Sequence, residues 1–247
     1  MNYIFISART NSTRLPNKAI LDLCGKPSIL YLIENLKYSK FANQIILCTT
    51  TKKDDDALCQ IAQSNGIQTF RGPEEDKLLR WLGACRQYGV DFFVNVDGDD
   101  IFFDHGLADL CLSQEKGLDF IDGRGLYNDV YGIRASALEL VCNLKNADDT
   151  EFIRPHFVDP SKGFKINKLQ DVPNKYNKKN IRMTLDYIED LKFFETVINH
   201  FEQAGVMLTF DNILQFLENN PEVVKINWFR EEEWKNNQTK MISRVVL

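Results

Sequence analysis

Short apolar runs of strand length recur along the first hundred residues, each separated from the next by a segment of helical period. The runs are Tyr3-Ile4-Phe5-Ile6, Gln44-Ile45-Ile46-Leu47-Cys48, Ile67-Gln68-Thr69-Phe70 and Phe92-Phe93-Val94-Asn95-Val96. Most of them are apolar throughout rather than alternating, so both faces of each strand must be covered. Between them, Pro27 opens a helix with Ile29, Leu30, Ile33 and Leu36 on one side. Residues 54–65 read as a second helix, stopped by Gly66, and residues 74–88 as a third, ended by Gly89. Strand and helix in alternation predict an α/β fold: a mostly parallel central sheet with helices on both faces.

The second half is less regular. Strands are expected over 129–134, 164–169 and 181–185, and a strong amphipathic helix over 187–203. No repeat, low-complexity tract or Pro/Gly/Ser linker divides the 247 residues. One domain over 1–247 is expected, with an arm or lid within about 120–180 and a helical extension over about 205–247. A net charge of −5 and a pI near 5.3 argue against a binder of duplex nucleic acid. No run reaches the ~18–20 apolar residues of a membrane span. The apolar stretch at the N-terminus is too short for a signal-peptide core, so a cytoplasmic protein is expected. Six dispersed cysteines without a CxxC pair read as reduced thiols rather than zinc ligands.

The loop after the first strand runs Ser7-Ala8-Arg9-Thr10-Asn11-Ser12-Thr13-Arg14-Leu15-Pro16-Asn17-Lys18. In open α/β sheets, ligands bind outside the carboxyl ends of the strands. Arg9, Arg14 and Lys18 gather there in an otherwise acidic chain, which suits a polyphosphate: guanidiniums fork onto phosphate oxygens and lysine acts as a point charge. A solvated cationic loop is the bland alternative, and the Walker spacing of glycines and lysine is missing.

A second cluster, Asn95-Val96-Asp97-Gly98-Asp99-Asp100, closes another strand. Carboxylates there can hold Mg²⁺, which takes only one or two of them with phosphates and waters. Asp-Gly-Asp is equally a good turn sequence. In Thr184-Leu185-Asp186-Tyr187-Ile188-Glu189-Asp190, the acids Glu189 and Asp190 read as first-turn residues of a helix. Asp186 is ambiguous until it is paired with Asp99. The three histidines do not rise above structural roles.

Together the Ser12–Lys18 segment, Gly98-Asp99 and Leu185-Asp186 before a long helix resemble the cytidylyltransferases. The nearest branches are the 3-deoxy-manno-octulosonate (Kdo) type and the spore-coat polysaccharide, SpsF-like type. Phe70-Arg71-Gly72-Pro73-Glu74-Glu75-Asp76 and the stretch 184–194 are similar to the same families, and the resemblance runs over roughly residues 1–200. It implies a Rossmann-like nucleotide-diphospho-sugar transferase fold. It also implies that Arg9, Arg14 and Lys18 hold the triphosphate of CTP with Ala8 beside the nucleotide. Asp99 and Asp186 match the paired metal carboxylates, and Arg71 and Asp76 fall in the segment that helps form the nucleotide or sugar pocket. Three positions depart from the pattern: Asn17, Asp97 and Ile101.

The expected activity is Mg²⁺-dependent transfer of CMP from CTP to an acidic sugar for a surface polysaccharide, with Arg14, Lys18 and Asp99 at the chemistry. A nucleotidyltransferase using another NTP, or a phosphorylated or phosphonate acceptor, is the near alternative. A GT-A-like glycosyltransferase module is the distant one, since Asp97-Gly98-Asp99 also fits its Asp-x-Asp pattern. The expected partners are small molecules, not nucleic acid or membrane. Trp228 and Trp234 in the C-terminal segment could serve a homodimer or pack on the sheet.

Overall fold

The computed structural model describes residues 1–146, 149–177 and 180–245. Residues 147–148 and 178–179 of the expected arm, and 246–247 of the expected extension, lie outside the described residues.

Alternate residues of the first strand, β1 (Asn2–Ser7), feed two different cores. Ile4 and Ile6 join one apolar cluster, while Tyr3 and Phe5 join another, as the two-residue period of a strand requires. The same split continues through β2 (Gln44–Thr50) and β4 (Phe92–Asp97), while β3 (Gln68–Gly72) turns Phe70 to the second cluster. On one side pack α1 (Ser28–Leu36), α2 (Asp56–Ser64), α4 (His105–Ser113), α7 (Ile188–Ala204) and α8 (Phe210–Asn219). On the other pack α3 (Lys77–Tyr88), α5 (Ala135–Leu144) and α6 (Arg154–Phe157). There Phe5 stacks on Phe93 at 4.2 Å between ring centroids, and Trp81 meets Phe93 edge-on at 5.5 Å.

Among the described residues, seven strands form the main sheet in the order β3-β2-β1-β4-β6-β5-β7. The added strands are β5 (Phe120–Gly123), β6 (Val130–Arg134) and β7 (Ile166–Lys168). β6 runs against both its neighbours, β4 and β5, and the other strand pairs are parallel. The α/β architecture expected from the sequence is therefore observed. Much of the stretch 120–177 belongs to this sheet through β5, β6 and β7, with α5 on its face. The C-terminal segment forms α8, α9 (Pro221–Trp228) and α10 (Arg230–Val245).

Two expectations are corrected. Residues 181–185 are not a strand of the sheet: they run without regular structure into α7, tied to the β4 loop by the Leu185 N–H donating to the Asp99 carbonyl at 3.0 Å. Their apolar pattern reflects burial beneath the helices, and strand periodicity cannot distinguish the two. The third helix starts at Lys77 rather than residue 74, because Asp76 caps it. The polar loop before α1 also contains a short turn of helix at Lys18–Ile20 and a two-residue hairpin, Asp22–Leu23 with Lys26–Pro27.

Candidate active site

β1 and β4 end level with each other. Ser7 is paired with Asp97, so the loops after the two strands leave the sheet side by side. The Gly98 N–H donates to the Ser7 carbonyl at 2.8 Å. A Cβ on Gly98 would come within 2.7 Å of the Ala8 Cβ, so only glycine allows this approach. Ala8 is thereby placed against the acidic turn.

The 8–18 loop is held from behind by one buried carboxylate. Asp55 Oδ1 accepts from the Thr10 N–H and the Thr10 hydroxyl, both at 2.7 Å. Its other oxygen accepts from the Thr50 N–H at 3.2 Å and from the Thr50 hydroxyl. Burial pushes the Asp55 carboxyl up, but these hydrogen bonds outweigh it and hold it below the ordinary value. Asn17 takes the left-handed conformation (φ 59°) that turns the loop into the Lys18 helix, a conformation asparagine tolerates.

With the loop so fixed, four of the residues expected to bind nucleotide and metal meet. Lys18 Nζ lies 2.5 Å from Asp99 Oδ2 and 2.8 Å from Asp186 Oδ1. Arg14 Nη2 donates to the same Asp186 oxygen at 2.6 Å. Burial alone would lower the Lys18 ammonium, but Asp99 and Asp186 outweigh it and hold it above the usual lysine value. Burial would likewise raise Asp186; Lys18 and Arg14 instead hold it well below the carboxylate range. Asp99 ends above its ordinary value: burial dominates, Lys18 opposes it, and the charges of Asp186 and Asp97 add to it.

The other expected residues are placed differently. Arg9 stands at the mouth of the loop, donating to the Glu74 carbonyl at 3.2 Å and reaching Glu151 at 3.8 Å. Arg71 is turned to the β2–α2 loop, where it donates to the Thr50 and Lys52 carbonyls and to Asp56. Asp76 is not brought to the Lys18 cluster. Its side chain accepts from the Leu79 N–H at 2.9 Å as the α3 cap and pairs with Lys145 at 2.5 Å.

Several residues near the site escaped the sequence reading. Lys77, 4% exposed, pairs with Asp97 at 2.6 Å and lies over the Trp81 ring at 5.2 Å. Burial pushes Asp97 up, and Lys77 outweighs it to bring that carboxyl below its ordinary value. Asp100 is held well above the usual range by burial and then by the charges of Asp99 and Asp97. Arg182, 1% exposed, reaches Asp186 Oδ2 at 3.4 Å from the side opposite Lys18. Its signal was present: an arginine inside an apolar run demands a carboxylate partner, and Asp186 and Asp190 follow at four and eight residues. Lys77 gave no such signal, being the first residue of an ordinary helix.

The donor set fits a divalent cation. Two carboxylate oxygens already converge on one cationic nitrogen, Lys18 Nζ, and a hard ion completed by phosphates and waters needs no more protein ligands than these. Among the described residues, no group of three or more His, Cys, Asp or Glu is gathered for a metal.

Residues 3–207 match the cytidylyltransferase family. The chain belongs to that family. A cytidylyltransferase of this sequence is 32% identical to an uncharacterised protein of Methanocaldococcus jannaschii over 229 residues, covering 90% of this chain and 92% of that one. It is 24% identical to the spore coat polysaccharide biosynthesis protein SpsF of Bacillus subtilis over 88% of this chain and 94% of that one. Among solved structures, a cytidylyltransferase from Leptospira borgpetersenii superposes with a TM-score of 0.78 at 25% identity, covering 90% of this chain and 96% of the other. The family match ends three residues after α7, so α8, α9 and α10 of this cytidylyltransferase lie beyond it. Among the described residues, no helix is long and apolar enough to cross a membrane.

Proposed function

We propose that this cytidylyltransferase transfers CMP from CTP to an acidic sugar destined for a surface polysaccharide, with Mg²⁺ held by Asp99 and Asp186. The observation that carries the reading is the convergence of Lys18 and Arg14 on the Asp99–Asp186 pair. A triphosphate entering this loop meets cations that are already oriented, and phosphates compete with the two carboxylates for them. The acceptor oxygen attacks the α-phosphorus; its bond to phosphorus forms as the bond to the bridging oxygen breaks, and pyrophosphate leaves with the electron pair. The acceptor proton passes to solvent.

Bound Mg²⁺ would supply charge neutralisation at the α-phosphate and acidify the acceptor hydroxyl. Lys18, Arg14 and Arg9 would carry the leaving pyrophosphate, because phosphoryl and nucleotidyl transfer depend on positioning and charge more than on covalent help. These cations also weigh against a glycosyltransferase module, whose nucleotide-diphosphate-sugar donor has no γ-phosphate to hold. The polysaccharide destination is supported by the similarity to the spore coat polysaccharide biosynthesis protein SpsF over most of both chains. The same reading makes the protein a cytoplasmic enzyme acting on small molecules.

The experiment is a pyrophosphate-release screen of all four NTPs against acidic sugars and sugar phosphates, with Mg²⁺ and with EDTA. Release with CTP and an acidic sugar, abolished by EDTA, is the expected result. Equal turnover with UTP would replace CTP by a broader nucleotide choice, and turnover only with sugar phosphates would replace the acceptor.

A further inference from the structure

Asp186 divides its two oxygens between two parts of the molecule. Oδ1 faces Lys18 and Arg14. Oδ2 faces Arg182, whose guanidinium is shared among three carboxylates. Nε and Nη2 donate to the two oxygens of Asp190 at 2.8 and 3.0 Å, Nη2 also reaches Asp186 at 3.4 Å, and Nη1 reaches Glu231 Oε2 at 3.5 Å. Asp190 in turn accepts the backbone N–H groups of Asp186 and Tyr187, both at 2.9 Å, and so sets the direction of the turn that carries Asp186.

Glu231 comes from α10, outside the residues matched to the family, and it is 4% exposed. Other side chains of the last two helices reach the same place. Asn227 on α9 donates to the Arg182 carbonyl at 3.2 Å and to Asp190 at 2.9 Å. The Trp234 ring lies 5.5 Å from the Arg182 guanidinium. Arg230 lies over one ring, Tyr187, that Arg14 of the phosphate loop also faces, at 5.0 and 5.9 Å.

We propose that Glu231 is a positioning residue for the transfer site, acting through Arg182 to keep Asp186 available to a metal ion. The C-terminal helices are then a working part of the site. A buried guanidinium attracts each carboxylate it faces, and in a low-dielectric interior a lost partner strengthens its hold on those that remain. With Glu231 in place, part of the Arg182 charge is taken up by α10. Without it, Arg182 draws on Asp186 Oδ2, and the opposite oxygen becomes a poorer ligand. The inference rests on the reading of Asp99 and Asp186 as the metal carboxylates.

The test measures Mn²⁺ binding to the full chain in the presence of CTP by calorimetry, which needs no acceptor. E231Q is expected to weaken Mn²⁺ binding about tenfold, with metal-free CTP binding within twofold of the parent protein. E231D keeps the charge but withdraws it by one methylene, and is expected to weaken Mn²⁺ binding in the same direction by a smaller factor; it carries the test should E231Q fail to fold. Unchanged Mn²⁺ binding in the folded variants overturns the proposal. Parallel losses of Mn²⁺ binding and of metal-free CTP binding overturn it too, since they indicate general damage. D186N is measured alongside: if it binds Mn²⁺ normally, the metal site itself is misplaced and the proposal falls with it. If D186N loses Mn²⁺ and the Glu231 variants do not, only the role of Glu231 is wrong.

Discussion

Lys18 and Asp186 meet at 2.8 Å although 168 positions separate them in the chain. The same Asp186 oxygen takes Arg14 at 2.6 Å, and the same ammonium takes Asp99. Lys18 therefore neutralises a buried carboxylate, Asp186, and a half-buried one, Asp99, that would otherwise face each other. Replacing it by alanine is expected to reduce kcat/KM for CTP at least tenfold, since a charged hydrogen bond is worth roughly 1.5–3 kcal/mol. It should also lower the melting temperature in EDTA, with part of the loss recovered in Mg²⁺. Equal melting temperatures in the two buffers would show that no ion takes the place of the lysine.

Asp99→Asn and Asp186→Asn are each expected to lower turnover by several orders of magnitude. The double variant should be no worse than either single one, because residues acting as a unit fail together. Metal-free CTP binding to Asp99→Asn should survive, carried by Arg9, Arg14 and Lys18. Steady-state kinetics with calorimetry decides this, and an active Asp186→Asn beside an inactive Asp99→Asn would reduce the site to one carboxylate.

Asp55 is expected to link stability to pH. Its folded-state carboxyl lies below the ordinary value, so the unfolded chain binds its proton first as pH falls. The stability it contributes is present above about pH 4, the unfolded aspartate value, and is lost as pH falls through the lower folded value. Asp55→Asn should flatten the acid limb of a stability-versus-pH curve. It should also raise KM for CTP at pH 7, because the Thr10 and Thr50 contacts position the phosphate loop. An unchanged acid limb with an unchanged KM would leave Asp55 without that function.

Asp76→Ala separates a structural acid from a binding one. It removes the α3 cap and a 2.5 Å ion pair with Lys145. The cap is worth about 1 kcal/mol, so a loss of at least that size is expected in denaturant unfolding. KM for CTP should stay within twofold. A large rise in KM without loss of stability would return Asp76 to the nucleotide pocket.

The elements that could be read from the sequence are those whose burial is written in local period. β1, β2 and β4 are apolar on both faces, and α1, α2 and α7 carry their stripes at helical spacing. The first-turn acids of α7 also behaved as read: Asp190 closes a capping box with Tyr187, and Glu189 pairs with Arg230. Residues 181–185 misled because a buried extended segment and a sheet strand share one apolar signature. The helices α4 and α5 were not anticipated from the sequence.

Charge chemistry divides along a similar line. The types of residue at the site were legible: cations after one strand and carboxylates after two apolar runs suit a polyphosphate and a hard ion wherever such loops meet. Which of them meet was decided by the tertiary structure. Parallel pairing of β1 with β4 sets Gly98 against Ala8, and burial of Ile181, Met183 and Leu185 in the core shared with α7 and α8 carries Asp186 to Lys18. The same packing sent Asp76 to cap a helix and brought in Arg182, Asn227 and Glu231 from outside the loops. Local sequence determines secondary structure and ligand chemistry because those depend on neighbours a few residues away. Partnership among buried charges depends on distances across the chain, and only the folded packing decides those.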